Sequence, residues 1–219
     1  MAPTGRVPGV DATSYLSTAA LAERLIGEPV VARRWAEDSA LAGYTVGGLA
    51  GHLARAVLTV DRYLDGAVAT GDPVDAVGYF VRVLGAHDPL TSELHTSVRD
   101  RAMQEAADGP GPLVARLGQA RRALQARLAE VDPSARIAVF DETVMSIEAY
   151  LETRLVELVV HIDDLAVSVG LDIGDDIEPR AYATVAAVLA QLAAAREGGL
   201  ATVRSLARRE RQPDAVRAL

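Results

Sequence analysis

Residues 146–169 constrain the fold more than any other stretch, because their side chains sort into three rows at helical spacing. On a wheel of about 100° per residue, Ile147, Leu151, Leu155, Leu158, Ile162, Leu165 and Val169 form one unbroken apolar stripe. Glu148, Glu152 and Asp163 fall roughly opposite it, as a solvent face should. Between them runs a third row of Tyr150, Arg154, Glu157, His161, Asp164 and Ser168, whose other flank is again apolar through Val156, Val160 and Val167. A helix apolar on two sides belongs inside a helical assembly. The same geometry commits Glu157 and His161 to a largely buried position, where a carboxylate or an imidazole needs a partner or a metal ion.

The remaining periodicities predict further helices. One fits residues 12–26, ended by Gly27-Glu28-Pro29, and a short one fits 29–38, with Pro29 in its first turn and the sole tryptophan, Trp35, inside it. Over 45–66, Val46, Leu49, Leu53, Val57, Val60 and Leu64 recur at helical spacing between Gly43 and Gly66. The segment 73–86, starting at Pro73, reads as helix, 87–111 as a helix flanked by loops, and Gly109-Pro110-Gly111-Pro112 as a break. A helix over 112–131 ends at Asp132-Pro133, and the apolar run 137–140 reads as an extended connector. An acidic turn at 170–178 leads to a helix from Pro179 to about Arg196, then past Gly198-Gly199 to a last helix ending near Arg211. Four main helices with crossovers predict an all-α bundle. It is expected to occupy residues 11–219 as one domain, behind a disordered lead at 1–10 that holds two prolines and two glycines. Aromatic residues make up only 4% of the chain while Ala, Leu and Val abound, which favours helix packing over a β-sandwich.

Composition removes several classes of chemistry. A net charge of −8 speaks against nucleic acid as a partner, since phosphate binding needs a positive field. The pairs Arg33/Arg34, Arg121/Arg122 and Arg208/Arg209 have acidic neighbours and read as solvated helix faces. Lys, Asn and Cys are absent, and all 22 basic residues are Arg. Without Lys there is neither a pyridoxal Schiff base nor a Walker-type phosphate loop. Without Cys there is no disulfide, thiolate ligand or protein thiol nucleophile, so sulfur chemistry must use a thiol from outside. Lys and Asn have A-rich codons, so their absence suggests a high-GC genome. The N-terminal residues hold no apolar signal region and no run reaches 18 apolar residues, which predicts a soluble cytoplasmic protein with no membrane partner.

Glu157 and His161, four apart, project from one helix face about a turn apart and can chelate one ion. The same spacing also serves a plain Glu–His hydrogen bond. His52 lies beside the apolar stripe of its own helix, on the side of Thr45, Thr59 and Tyr63, where a lone histidine is ordinarily a core residue. Taken together, two histidines and a carboxylate from two long helices suit Zn²⁺, with Ni, Fe or Mn as other divalent options, and leave positions open for water or substrate. Asp164, one turn beyond His161, either orients that ring or is structural. Arg154, one turn before Glu157, either holds a substrate carboxylate or neutralises Glu157. Tyr63 and Tyr150 are either donors near the metal or core packing, and His87 and His95 read as surface residues.

Two stretches carry a family resemblance. Leu41–Arg55 (LAGYTVGGLAGHLAR), with Trp35 shortly before it, and Leu151–Gly170 (LETRLVELVVHIDDLAVSVG) resemble the two metal helices of the mycothiol-dependent maleylpyruvate isomerase N-terminal family, part of the DinB-like superfamily. The ending ATVRSLARRERQPDAVRAL is similar to the close of its single-domain members, so the likeness spans roughly residues 12–219. The resemblance implies a DinB-like four-helix bundle with additional short helices, holding a divalent metal through His52, Glu157 and His161. It further implies use of mycothiol, the low-molecular-weight thiol of high-GC actinobacteria, which the metal activates for isomerisation or S-transfer on a small electrophile. A chain without Cys and of high-GC character agrees with that. Tyr44 stands where many relatives carry Trp. The isomerase itself has a second, C-terminal domain contributing to its site, whereas only about 50 residues follow the metal helix here, so maleylpyruvate as substrate does not carry over. Two rival functions use the same residues: a metal-dependent hydrolase with water as nucleophile, and a non-catalytic bundle with a structural metal. Three identifiable ligands instead of four favour an open site. The expected partners are a small substrate and the thiol, for a monomer or homodimer.

Overall fold

The computed structural model describes residues 11–66, 68–85 and 92–207, except for the side chain of Leu94. The expected lead at 1–10, His87 and residues 208–219 lie outside these. Among the described residues the helices are α1 (Ala12–Ile26), α2 (Pro29–Arg33), α3 (Val46–Leu64), α4 (Ala76–Leu84), α5 (Glu93–Glu105), α6 (Pro110–Glu130), α7 (Ile147–Val169), α8 (Pro179–Glu197) and α9 (Gly199–Ala207). Two short strands, β1 (Arg136–Ala138) and β2 (Val144–Ser146), form an antiparallel hairpin before α7.

The architecture is the all-α bundle that the periodicities predict. α6 and α7 each pack against both α1 and α3, so these four helices enclose the core. α5 lies along α3, while α4 and α8 pack on α7 and on each other. Tyr15, Ile26, Leu49, Leu53, Leu117, Leu124, Leu155, Leu158 and Ile162 are completely buried where they meet. Polar residues start the main helices by capping first-turn amides: Asp11 for α1, Thr45 for α3 and Ser146 for α7. Gly170, left-handed at φ 74°, closes α7, a conformation that glycine adopts without steric cost.

The structure departs from the expected elements where a distant partner captures the backbone. The helix expected over 29–38 stops at Arg33. Residues 35–38 bond instead to the start of α3, with Gly47 N donating to Trp35 O and Val46 N to Glu37 O, both at 2.8 Å. The indole of Trp35 occupies the space beside Gly47, where a Cβ would come within 2.6 Å of it. The helix expected from Pro73 starts at Ala76, because Val74 N donates to Val144 O and Asp75 caps Gly78 at 2.7 Å. The expected break falls just before Pro110, at Gly109, and α6 starts at Pro110 instead of 112: a proline in the first turn lacks an amide that would have no helical partner there. The connector at 137–140 has a partner strand, Ile137 lying opposite Met145, and the turn between them holds Asp141 and Glu142 at φ 55° and 52°. The last helix is described as far as Ala207, and its expected end near Arg211 lies outside the described residues. No helix among the described residues is long and apolar enough to cross a membrane.

Candidate metal centre

The site lies where α3 crosses α7, and three local features fix that crossing. Ala40 N donates to Ser168 Oγ at 2.8 Å, and Ser168 Oγ donates to the Asp164 carbonyl at 2.6 Å. The loop entering α3 is thereby pinned to the row of α7 that carries Glu157 and His161. Thr45 Oγ1 accepts from Gly48 N at 3.0 Å and sets where α3 begins. Gly51 lets α5 approach closely, since any Cβ at that position would overlap the carbonyl of Ala102.

Along α7 the apolar stripe and the polar row hold, while the solvent face and the second apolar flank each change in part. Tyr150 and Ser168 are buried, and Arg154, Glu157, His161 and Asp164 are half-buried between them. Glu148 and Glu152 are half-buried too, while Asp163 is exposed. On the other flank Val156 is buried, Val160 half-buried and Val167 is 62% exposed, so the cover over that side thins toward the C-terminus.

The structure brings His52, Glu157 and His161 together, with one donor atom from each lying within 4.8 Å of the others. His161 Nε2 stands 3.2 Å and His52 Nε2 3.4 Å from the same Glu157 oxygen, Oε2. The two imidazole rings meet edge to face, 4.6 Å between centroids at 73°. These separations exceed the roughly 2.7–2.9 Å of a charge-assisted N–H···O contact. They match the edge of a tetrahedron with bonds of about 2.1 Å, which is about 3.4 Å. The three side chains could therefore hold a metal ion, and among the described residues no other group of three His, Cys, Asp or Glu side chains is so arranged.

Two further observations bear on that fit. His161 Nδ1 is 2.9 Å from Asp164 Oδ2, which fixes the ring and leaves Nε2 toward Glu157, the arrangement by which carboxylates orient metal-binding imidazoles. His52 Nδ1 is buried and has no hydrogen-bond partner among the described residues, so the interactions open to this ring run through Nε2 and the cluster. Burial holds the pKa of His52 below its ordinary value, against the pull of Glu157. For His161 burial also acts downward, but the contacts with Asp164 and Glu157 outweigh it and raise the pKa to about 9. Burial would push Glu157 up, yet the two histidines and Arg154 hold it well below the usual carboxylate range.

Arg154 and the tyrosines form one wall. The guanidinium lies over the rings of Tyr150 and Tyr79, 5.0 and 5.8 Å from their centroids, and Nε donates to Thr153 Oγ1 at 3.0 Å. Tyr150 OH donates to Thr59 Oγ1 at 3.0 Å, and Tyr63 meets the Tyr150 ring edge-on at 5.5 Å. Burial pushes the Tyr150 hydroxyl up to about 12, so it stays protonated. Tyr44 tilts against His52 with 5.5 Å between centroids. Tyr79 and Thr153 carry no signal in the sequence: nothing in the pattern of 76–84 announces that α4 packs on α7, and Thr153 falls off the row of its neighbour Arg154. His95 is half-buried near the start of α5 and is not part of the cluster.

The family model of the mycothiol maleylpyruvate isomerase N-terminal domain matches residues 17–166, a span that includes His52, Glu157 and His161. No curated protein and no solved structure matches the chain.

Proposed function

The chain belongs to the mycothiol maleylpyruvate isomerase N-terminal domain family, and on that premise we propose that it is a divalent-metal-dependent enzyme activating an exogenous thiol, mycothiol, for isomerisation or S-transfer on a small electrophile. The observation that carries this reading is the convergence of His52, Glu157 and His161 from two helices, with donor atoms within 4.8 Å and, among the described residues, no fourth His, Asp or Glu grouped with them. Two imidazoles and one carboxylate make a set suited to zinc, and nickel, iron or manganese accept the same donors. When bound, such an ion lowers the pKa of a thiol or water that reaches its open position.

The protein's own groups then have separate tasks. Asp164 keeps His161 in one tautomer and orientation through the 2.9 Å contact. Glu157 supplies the negative charge that offsets part of an ion's charge. The row from Tyr150 to Arg154 closes one side with side chains that keep their protons at neutral pH. The thiol comes from outside because the chain has no cysteine.

The test is turnover of a panel of small electrophiles by the metal-loaded protein, with and without mycothiol. Product that requires both metal and thiol is the expected result. Hydrolysis that proceeds equally without thiol would assign the site to water as nucleophile, and metal uptake without turnover in either condition would make the ion structural.

A further inference from the structure

Arg154 is a buried cation with no carboxylate at hydrogen-bonding distance among the described residues. Its side chain is only 12% exposed, wedged over the faces of Tyr150 and Tyr79. The one carboxylate within reach among the described residues is Glu157, at 4.0 Å, beyond hydrogen-bonding distance. That carboxylate already faces two imidazoles. An ion held among His52, Glu157 and His161 would draw the Glu157 charge to itself and leave the guanidinium with none. Asp164 does not replace it: its Oδ2 lies against His161, and among the described residues the ion pair of Arg154 is with Glu157 alone. A buried charge without a counter-charge is costly, and bracing two tyrosine rings does not require a charge at all.

We propose that Arg154 is a specificity-determining residue that anchors a carboxylate of the substrate beside the metal-ligand cluster, so that the site selects small carboxylic acids over neutral molecules of the same shape. This rests on the metal-dependent reading above. The guanidinium supplies a planar fork of donors matched to a carboxylate. One of its nitrogens, Nε, is committed to Thr153 and another, Nη2, faces Glu157 across the 4.0 Å gap, on the side where the metal ligands converge. The ring faces of Tyr79 and Tyr150 hold the group in place, so its orientation does not have to be created when the ligand arrives.

The test uses protein loaded with cobalt(II), whose visible absorption reports ligands entering near the ion, and two isosteric probes, acrylate and acrylamide. The chain has no cysteine for either probe to alkylate. Wild-type protein is expected to bind acrylate about tenfold or more tightly than acrylamide, by calorimetry and by the change in absorption. Arg154→Gln is expected to lose most of that preference with cobalt content and acrylamide affinity unchanged, and Arg154→Lys to retain part of it. A wild-type protein that does not distinguish the two probes overturns the proposal even where the glutamine variant does not fold. Undiminished acrylate affinity in a folded Arg154→Gln protein overturns it as well. Failure of the metal reading shows itself earlier: wild-type protein that takes up no cobalt withdraws both before any probe is added.

Discussion

His52 and His161 face the same oxygen of Glu157 from opposite electrostatic positions, and the difference has consequences for pH. With its pKa raised from 6.5 to about 9, His161 carries a proton at neutral pH in the metal-free protein. Its contribution to stability, at most about 3 kcal/mol, is complete below pH 6.5 and is lost as pH rises through about 9. Glu157, held low, contributes above its ordinary 4.5 and loses that as pH falls toward its folded value. His52, held neutral by burial, opposes folding as pH drops below 6.5. A metal must displace the His161 proton, so its affinity rises with pH until about 9. Between pH 6.5 and 9 the melting temperature of the chelated protein should therefore fall while metal affinity rises. Calorimetric melting and competition titration over that range check both signs, and a parallel rise would contradict the assignment of the proton to His161. Asp164→Asn should weaken metal binding about 10–100-fold without unfolding the protein. Equal affinity in a chelator competition would remove the orienting role given to Asp164. At this scale the row Arg154, Glu157, His161, Asp164 was legible from the wheel alone, because burial forces polar side chains to share surroundings. The stacking of Arg154 on Tyr79 was not, since it depends on a helix about 75 residues away whose docking site no local pattern encodes.

Elements were legible where both ends carry their own signal. The limits of α7 follow from Ser146 and Gly170, and the start of α3 follows from Thr45, because caps act through neighbouring residues. The hairpin at 136–146 rests on the pairing of Ile137 with Met145, and the delayed start of α4 on the contact of Val74 with Val144 and Met145, so nothing within a helical window announces them. Trp35 likewise leaves its expected helix to fill the space that Gly47 provides on α3. The glycines of α3 make these close approaches testable. Gly51→Ala should force α3 and α5 apart and destabilise by about 1–3 kcal/mol, the usual cost of overpacking. Gly48→Ala meets nothing closer than 3.4 Å and gains helix propensity, so it should be neutral or stabilising by up to about 1 kcal/mol. Denaturant midpoints of the two variants decide: equal destabilisation would mean that the α3–α5 contact is not the tight point.

For the whole molecule, the bundle joins two stretches about a hundred residues apart, one carrying His52 and the other Glu157 and His161. α3 and α7 are held in one relation by their direct contact and shared packing on α1, by Ser168 and by the short cap at Thr45. The fold class was legible because long amphipathic helices with few aromatics have few other ways to bury their stripes. The family was legible because its two motifs sit on those same helices. The most direct measurement is elemental analysis of the purified protein beside His52→Ala, Glu157→Ala and His161→Ala. The account predicts about one divalent ion per wild-type chain, largely lost in each variant while the helical circular dichroism persists. Variants that all keep the wild-type metal content would contradict it.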